Sequence, residues 1–270
     1  MTDDLLRRIA DALDRIAPPL PVAADPAAHP AYLWREGRLA AVADFRPLPL
    51  DALQGIDRQK DALVTNVRRL ASGHAAHDVL LWGARGTGKS ALVKAAVGTV
   101  QEESGNIALI ELPRAALDGL PALFDAIRGV PRAFAIFLDD LGLDAPHEAR
   151  ALRAMLEGGA EARPANARLF VTANRRNIVP REHGAEGNAI NPRDVADDAL
   201  ALADRFGLSL GFHVVDQAGY IAIVRGYAER LGLAFEDADA IAWATQRGGR
   251  SGRVAWQYVE ELAGRAGRSV

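Results

Sequence analysis

Four short apolar runs leave this chain few ways to fold: Val79-Leu80-Leu81-Trp82, Ile107-Ala108-Leu109-Ile110, Phe134-Ala135-Ile136-Phe137-Leu138 and Leu169-Phe170-Val171. A strand with one wet face alternates apolar and polar residues, whereas these runs are nearly unbroken and need cover on both faces. Helical patterns between them supply that cover. Residues 57–72 put Leu63, Val67, Leu70 and Ala71 on one face and stop at Gly73. Residues 145–157 begin at an N-cap, Asp144, with Pro146 in the first turn, and end at Gly158-Gly159. With Leu208–Val215 as a fifth strand, the alternation predicts a three-layer αβα sandwich on a mostly parallel five-stranded sheet.

The chain changes character twice. Residues 1–48 read as an N-terminal amphipathic helix (Leu6, Ile9, Leu13, Ile16) and a linker, since Ala17 to Pro30 holds five prolines. The α/β unit is expected over 49–215, its globular part starting near Pro47–Leu50. After Asp216 the strand pattern stops, and 217–232, 237–247 and 252–266 read as helices, giving a small all-helical lid over 216–270. Residues 177–193 read as a long loop.

Composition removes several function classes. There is no Cys, which excludes disulfides and thiolate chemistry, and the six His show no ligand spacing. No apolar run approaches the roughly 18–20 residues that span a bilayer. Acids at Asp3 and Asp4 stand where a signal peptide wants basic residues, so the expectation is a cytoplasmic protein without a membrane partner. Net charge is −3, which is no polycation for nucleic acid. Of 32 basic residues only Lys60, Lys89 and Lys94 are lysines, so a lysine inside a motif is informative.

One is inside a motif. Gly83-Ala84-Arg85-Gly86-Thr87-Gly88-Lys89-Ser90 matches GxxxxGK[ST], directly after a predicted strand and opening a predicted helix. Backbone N–H groups in such a loop point at a β-phosphate, and the helix dipole adds to the attraction. Lys89 would reach the β/γ oxygens and Ser90 would hold Mg²⁺. The Phe134–Leu138 run ends in Asp139-Asp140. Asp139 would hold Mg²⁺ through water at the sheet's C-terminal edge and Asp140 would polarise the attacking water. An isolated match would read as a solvated acidic turn; beside the phosphate loop it reads as a metal and water site.

From Leu50 to Arg265 the chain resembles the AAA+ superfamily of P-loop ATPases. The resemblance makes Asn174, at the end of Val171-Thr-Ala-Asn174, a sensor 1 candidate and Arg205 of Asp204-Arg205-Phe206 an arginine finger. It makes Arg253 of Gly249-Arg-Ser-Gly-Arg253 a sensor 2 candidate and Leu53-Gln-Gly55-Ile56 a wall of the adenine pocket. It implies nucleotide contacts from Gly83 through Ala91 and from Gly55, Ile56 and Arg253. It implies catalytic roles for Lys89, Asp140, Asn174 and Arg205, with Ser90 and Asp139 on the metal. The run Leu80–Ser90, Asp139–Leu141, Leu156–Gly159 with Arg163-Pro164, Val171–Arg176, Leu202–Leu208 and Arg250–Arg253 is similar in order to a bacterial family of uncharacterised AAA+-type ATPases. The implied activity is Mg-ATP hydrolysis, with ATP and ADP as ligands and a homo-oligomer in which Arg205 acts in trans.

Structural alternatives stand beside each role. Asn174 could cap its loop, Arg205 could pair with Asp204 or Asp198, and Arg253 could complement a helix surface; Arg175 and Arg176 have no single reading. Most of the superfamily has Asp-Glu where this chain has Asp139-Asp140, one methylene shorter. That shortfall of ~1.5 Å matters, because misplacement by about 1 Å can cost on the order of 100-fold in rate. The rival readings are a helicase-loader-like nucleic-acid ATPase (Asp139-Asp-Leu-Gly142, and five Arg against two Glu over 247–268), a nucleotide-switched scaffold, and a small-molecule kinase without a visible acceptor pocket. No residue pattern names a protein partner.

Overall fold

A computed structural model of the chain describes residues 4–8, 22–141, 152, 156, 163–174 and 204–269. Its strands are β1 (Ala31–Arg35), β2 (Arg38–Ala41), β3 (Val79–Gly83), β4 (Ile107–Glu111), β5 (Ala133–Leu141), β6 (Ala167–Asn174) and β7 (Leu208–Phe212). They form one sheet in the order β2-β1-β4-β5-β6-β3-β7. Every neighbouring pair is parallel except the β1–β2 hairpin.

The sheet therefore has seven strands, not the expected five. The five predicted strands are β3 to β7; the additional two lie at 31–41, inside the stretch assigned to helix and linker. Pro30 and the Ala-rich flank hide them in the sequence. A proline just before the first residue of a strand costs no ladder bond, and the Pro30 carbonyl accepts from the Leu109 amide at 3.1 Å. Tyr32 and Trp34 are buried once β1 pairs with β4, a long-range contact that local pattern does not reveal. The packed unit thus begins well before Pro47.

Helices cover both faces, as the unbroken runs require. α1 (Asp57–Ala71) and α2 (Lys89–Ser104) lie on one face, α3 (Leu120–Ile127) on the other. Along β5 the side chains divide strictly: Phe134, Ile136 and Leu138 enter one core, Ala135 and Phe137 the other. Truncating a fully buried phenylalanine such as Phe137 removes about 3–5 kcal/mol, so both layers are needed.

The lid comprises α4 (Gln217–Arg230), α5 (Asp237–Gln246) and α6 (Gly252–Arg265), packed around Tyr220, Val224, Tyr258 and Val259. Asp216 caps α4 by accepting from the Gly219 amide at 2.7 Å, and Ser251 caps α6 through the Val254 amide at 3.2 Å. Residues 4–8 are helical, with Leu5 and Leu6 exposed. The remainder of the expected N-terminal helix, the expected loop at 177–193, and Arg175 and Arg176 lie outside the described residues. So does most of the expected helix at 145–157, of which Leu152 is helical and buried. Among the described residues no helix is long and apolar enough to cross a membrane.

Candidate functional site

The site forms where β3 ends. Gly83 lies so close to β7 that a Cβ there would sit 2.0 Å from the Phe212 carbonyl oxygen, which excludes any side chain. The loop then turns through Gly86 at φ +75° before α2 starts at Lys89. Lys89 is buried, its Nζ donating to the carbonyls of Gly83 at 3.0 Å and Ala84 at 2.7 Å, and Thr87 Oγ1 donates to the Ala84 carbonyl at 2.9 Å. Burial pulls the Lys89 pKa below the usual lysine value, and the charges of Asp140 and Asp139 oppose that shift.

Two strands away in the sheet, β5 presents Asp139 and Asp140, both exposed. Ser90 Oγ donates to Asp139 Oδ1 at 2.6 Å, joining the first turn of α2 to the acid strand. Thr172 Oγ1 donates to the same oxygen at 2.6 Å. Asn174 Nδ2 donates to Asp140 Oδ1, and Arg85 Nη2 lies 3.4 Å from Asp140 Oδ2. Arg114 Nη1 donates to the Asp140 carbonyl at 3.1 Å. A serine hydroxyl and a carboxylate suit a hard cation that keeps water and phosphate oxygens as further ligands. Among the described residues no group of three or more His, Cys, Asp or Glu side chains could hold a metal ion, so this donor set fits Mg²⁺ shared with a phosphate better than a protein cage.

The lid meets the loop at one point. The Gly252 amide, at the start of α6, donates to the Gly86 carbonyl at 2.8 Å, and a Cβ on Gly86 would fall 2.7 Å from Ser251 Cβ. Arg253 is exposed beside this contact. Four of the five arginines over 247–268 are engaged within the lid: Arg247 on the Trp243 ring, Arg250 with Gln217, Arg265 with Glu261 and Arg268 with the Gly232 carbonyl. Arg253 has no polar partner among the described residues. Leu53 and Ile56 approach Gly88, their side chains 4.0 and 3.8 Å from where its Cβ would be, and Gly55 makes the turn between them at φ +75°.

The fold thus brings Gly83–Ala91, Leu53–Ile56, Asp139, Asp140, Asn174 and Arg253 to one edge. Arg205 lies elsewhere. It precedes Leu208, which pairs with Val79 at the start of β3, while the phosphate loop follows Gly83 at the end. Five residues of strand, roughly 15 Å, separate the two edges. Sequence reasoning passed over Thr172 and Arg114. The first reads as one more β-branched strand residue, and the second lies in a 3₁₀ segment with no motif. The available signal was a hydroxyl inside an otherwise apolar strand run.

A phosphate-loop turn and an acid strand at the carboxyl edge of a parallel sheet, with a helical lid seated on the loop, are the fold of AAA+ P-loop NTPases. Solved structures with this fold include Thermotoga maritima RuvB, a Holliday junction branch migration motor (19% identity, covering 83% of this chain and 68% of that one, TM-score 0.52). Others are the Aeropyrum pernix ORC2 protein in ADPNP-ADP complexes (16%, 84% and 67%, TM-score 0.55) and the A. pernix ORC1 protein in complex with DNA (16%, 81% and 61%, TM-score 0.55). The chain belongs to the DUF815 family, described as a protein of unknown function, whose model matches residues 27–266 and so takes in β1 and β2. No curated protein matches it.

Proposed function

We propose that this chain binds Mg-ATP on Gly83–Ser90 and hydrolyses it, and that its nucleotide state drives remodelling of an oligomer or partner. The observation that carries this reading is the linkage of Ser90 to Asp139 and of Asn174 to Asp140. Those contacts join each aspartate to a polar side chain beside the loop, which supports a metal role for the first pair and a water-orienting role for the second. Lys89 and Arg253 would bind and neutralise the phosphates, while Ser90 and Asp139 would hold Mg²⁺, which when bound supplies charge neutralisation at the β- and γ-oxygens. Asp140 and Asn174 would orient the attacking water. Positioning and electrostatics carry the rate in phosphoryl transfer. Leu53–Ile56 and the lid would enclose the base.

Arg205 is too far from its own phosphate loop to serve it, which supports action on the site of an adjacent copy. A nucleotide-switched scaffold is the second reading. It is favoured by the engagement of both Asp140 carboxylate oxygens, by Asn174 and Arg85. The nucleic-acid reading draws on the DNA-associated fold neighbours; the internally engaged lid arginines weigh against a basic docking face there.

Calorimetric titration of Mg-ATP and Mg-ADP, with phosphate release and oligomeric state measured on the same sample, tests the proposal. Binding with slow release is expected, and Lys89→Ala should weaken binding at least ~100-fold. No heat from well-folded wild-type protein would remove the proposal, and binding without any release would select the scaffold.

A further inference from the structure

We infer that Thr172 is the residue that sets both acids of the site, as a positioning residue opposite a one-residue bulge. Pairing between β5 and β6 runs in register up to Leu138 with Val171 and resumes at Leu141 with Ala173. Two residues of β5, Asp139 and Asp140, therefore face one residue of β6, Thr172. In a regular strand consecutive side chains point to opposite faces, so one aspartate of the pair would enter the core. The bulge exposes both in succession while Leu138 and Leu141 stay buried.

Such a bulge needs something to hold it. Asp140 has φ +53°, and among the described residues the only other non-glycine at positive φ is Glu36, in the β1–β2 turn. Thr172 is 1% exposed, and its hydroxyl is spent on the two acids. Its proton goes to Asp139 Oδ1 at 2.6 Å and its lone pair accepts the Asp140 amide at 2.8 Å. A single buried oxygen thus aims the carboxylate of one acid and fixes the left-handed backbone of the next. Asp139 Oδ1 also accepts from Ser90; if that hydroxyl turns to a metal, Thr172 still orients Asp139.

The role rests on the nucleotide-binding reading above and predicts something that reading does not. Thr172→Val keeps the shape and β-propensity and deletes both hydrogen bonds, and Thr172→Ser keeps the hydroxyl. Titrating ATP into each protein with EDTA and then with Mg²⁺ separates metal-linked from metal-free affinity. The valine variant should bind ATP like wild type in EDTA but lose ~10–100-fold of the gain conferred by Mg²⁺, as removal of groups orienting metal ligands generally does. Its Asp140 amide should exchange with solvent at least ~10-fold faster by NMR, since its acceptor is gone. The serine variant should restore both. Retention of the Mg²⁺ gain and of Asp140 protection by a folded valine variant would overturn the inference alone, as would equal damage in serine and valine. Absence of ATP binding by wild type under either condition would overturn the nucleotide reading and this role with it.

Discussion

Two aspartate sites stand at opposite ends of one sheet. At the amino end Asp78, just before β3, is nearly buried and fully engaged: Oδ2 accepts from Arg163 at 2.7 Å and Oδ1 from the Leu169 amide at 2.8 Å. Around it Arg168 donates to the carbonyls of Ala76 and Ala167, and Asn66 exchanges two hydrogen bonds with the His77 backbone. Burial lowers the Arg168 pKa, and the Asp78 charge opposes that shift. At the carboxyl end Asp139 and Asp140 are exposed, and Asp140 has left-handed backbone. Buried carboxylates with both oxygens hydrogen-bonded serve stability. Exposed ones held by buried neighbours in a rare backbone conformation fit the ligand-binding role proposed for them. Residue type does not separate the two, and although motif spacing picks out Asp139-Asp140, burial and backbone carry the physical difference.

The largest effect expected at either end is on turnover. Arg205 shares the amino edge with Asp78 but is proposed to act on a neighbour's site. Arg205→Ala should leave nucleotide affinity unchanged and lower phosphate release by about 10³-fold. Mixing it with Lys89→Ala protein should recover part of that loss; a variant with normal turnover would return Arg205 to a purely structural role. Next, Asp78→Ala leaves Arg163 without its ion-pair partner and Arg168 without the charge that offsets its burial, and should cost about 3 kcal/mol, lowering Tm by roughly 6–12 °C. The folded fraction should still bind nucleotide with wild-type affinity. Lost affinity at unchanged Tm would dissolve the distinction between the two ends.

The smallest effect lies in the lid and concerns a buried hydroxyl with no partner. Tyr220 is fully buried, its hydroxyl has no hydrogen-bond partner among the described residues, and burial pushes its pKa up to about 12 from 10.0. The folded state keeps this proton where the unfolded chain loses it. The associated stability is therefore intact below pH 10 and is lost as pH rises towards 12, about 2–3 kcal/mol at most. Thermal melts at pH 9 and pH 11 should show the fall, and Tyr220→Phe should reduce it without lowering Tm at neutral pH; what remains comes from Tyr227 and Tyr258, whose pKa values burial also raises. Thr172, with the opposite accounting, should tolerate no such removal.

Much of this was legible in order along the chain. The strand runs, the lid helices and the phosphate-loop turn depend on local pattern and local φ preference, which survive without knowledge of partners. The Asp139-Asp140 pair was visible for the same reason. Three features were not. β1 and β2 are short, and only the pairing of β1 with β4, and of β2 with β1, makes them strands. Arg163 stood out only as a motif residue until Asp78, 85 positions away, supplied its counter-charge. Thr172 reads as core packing until the register shift places it against two residues at once.

Local chemistry, then, dictated which segments are strand, helix or glycine-rich turn, because periodicity, glycine and the residue types at a motif act over a few positions. Tertiary pairing decided how many strands the sheet has, which aspartate is buried, and where Arg205 stands relative to its own phosphate loop. It also decided that one threonine orients two acids. Those outcomes depend on contacts between distant segments, and a linear string does not carry their register.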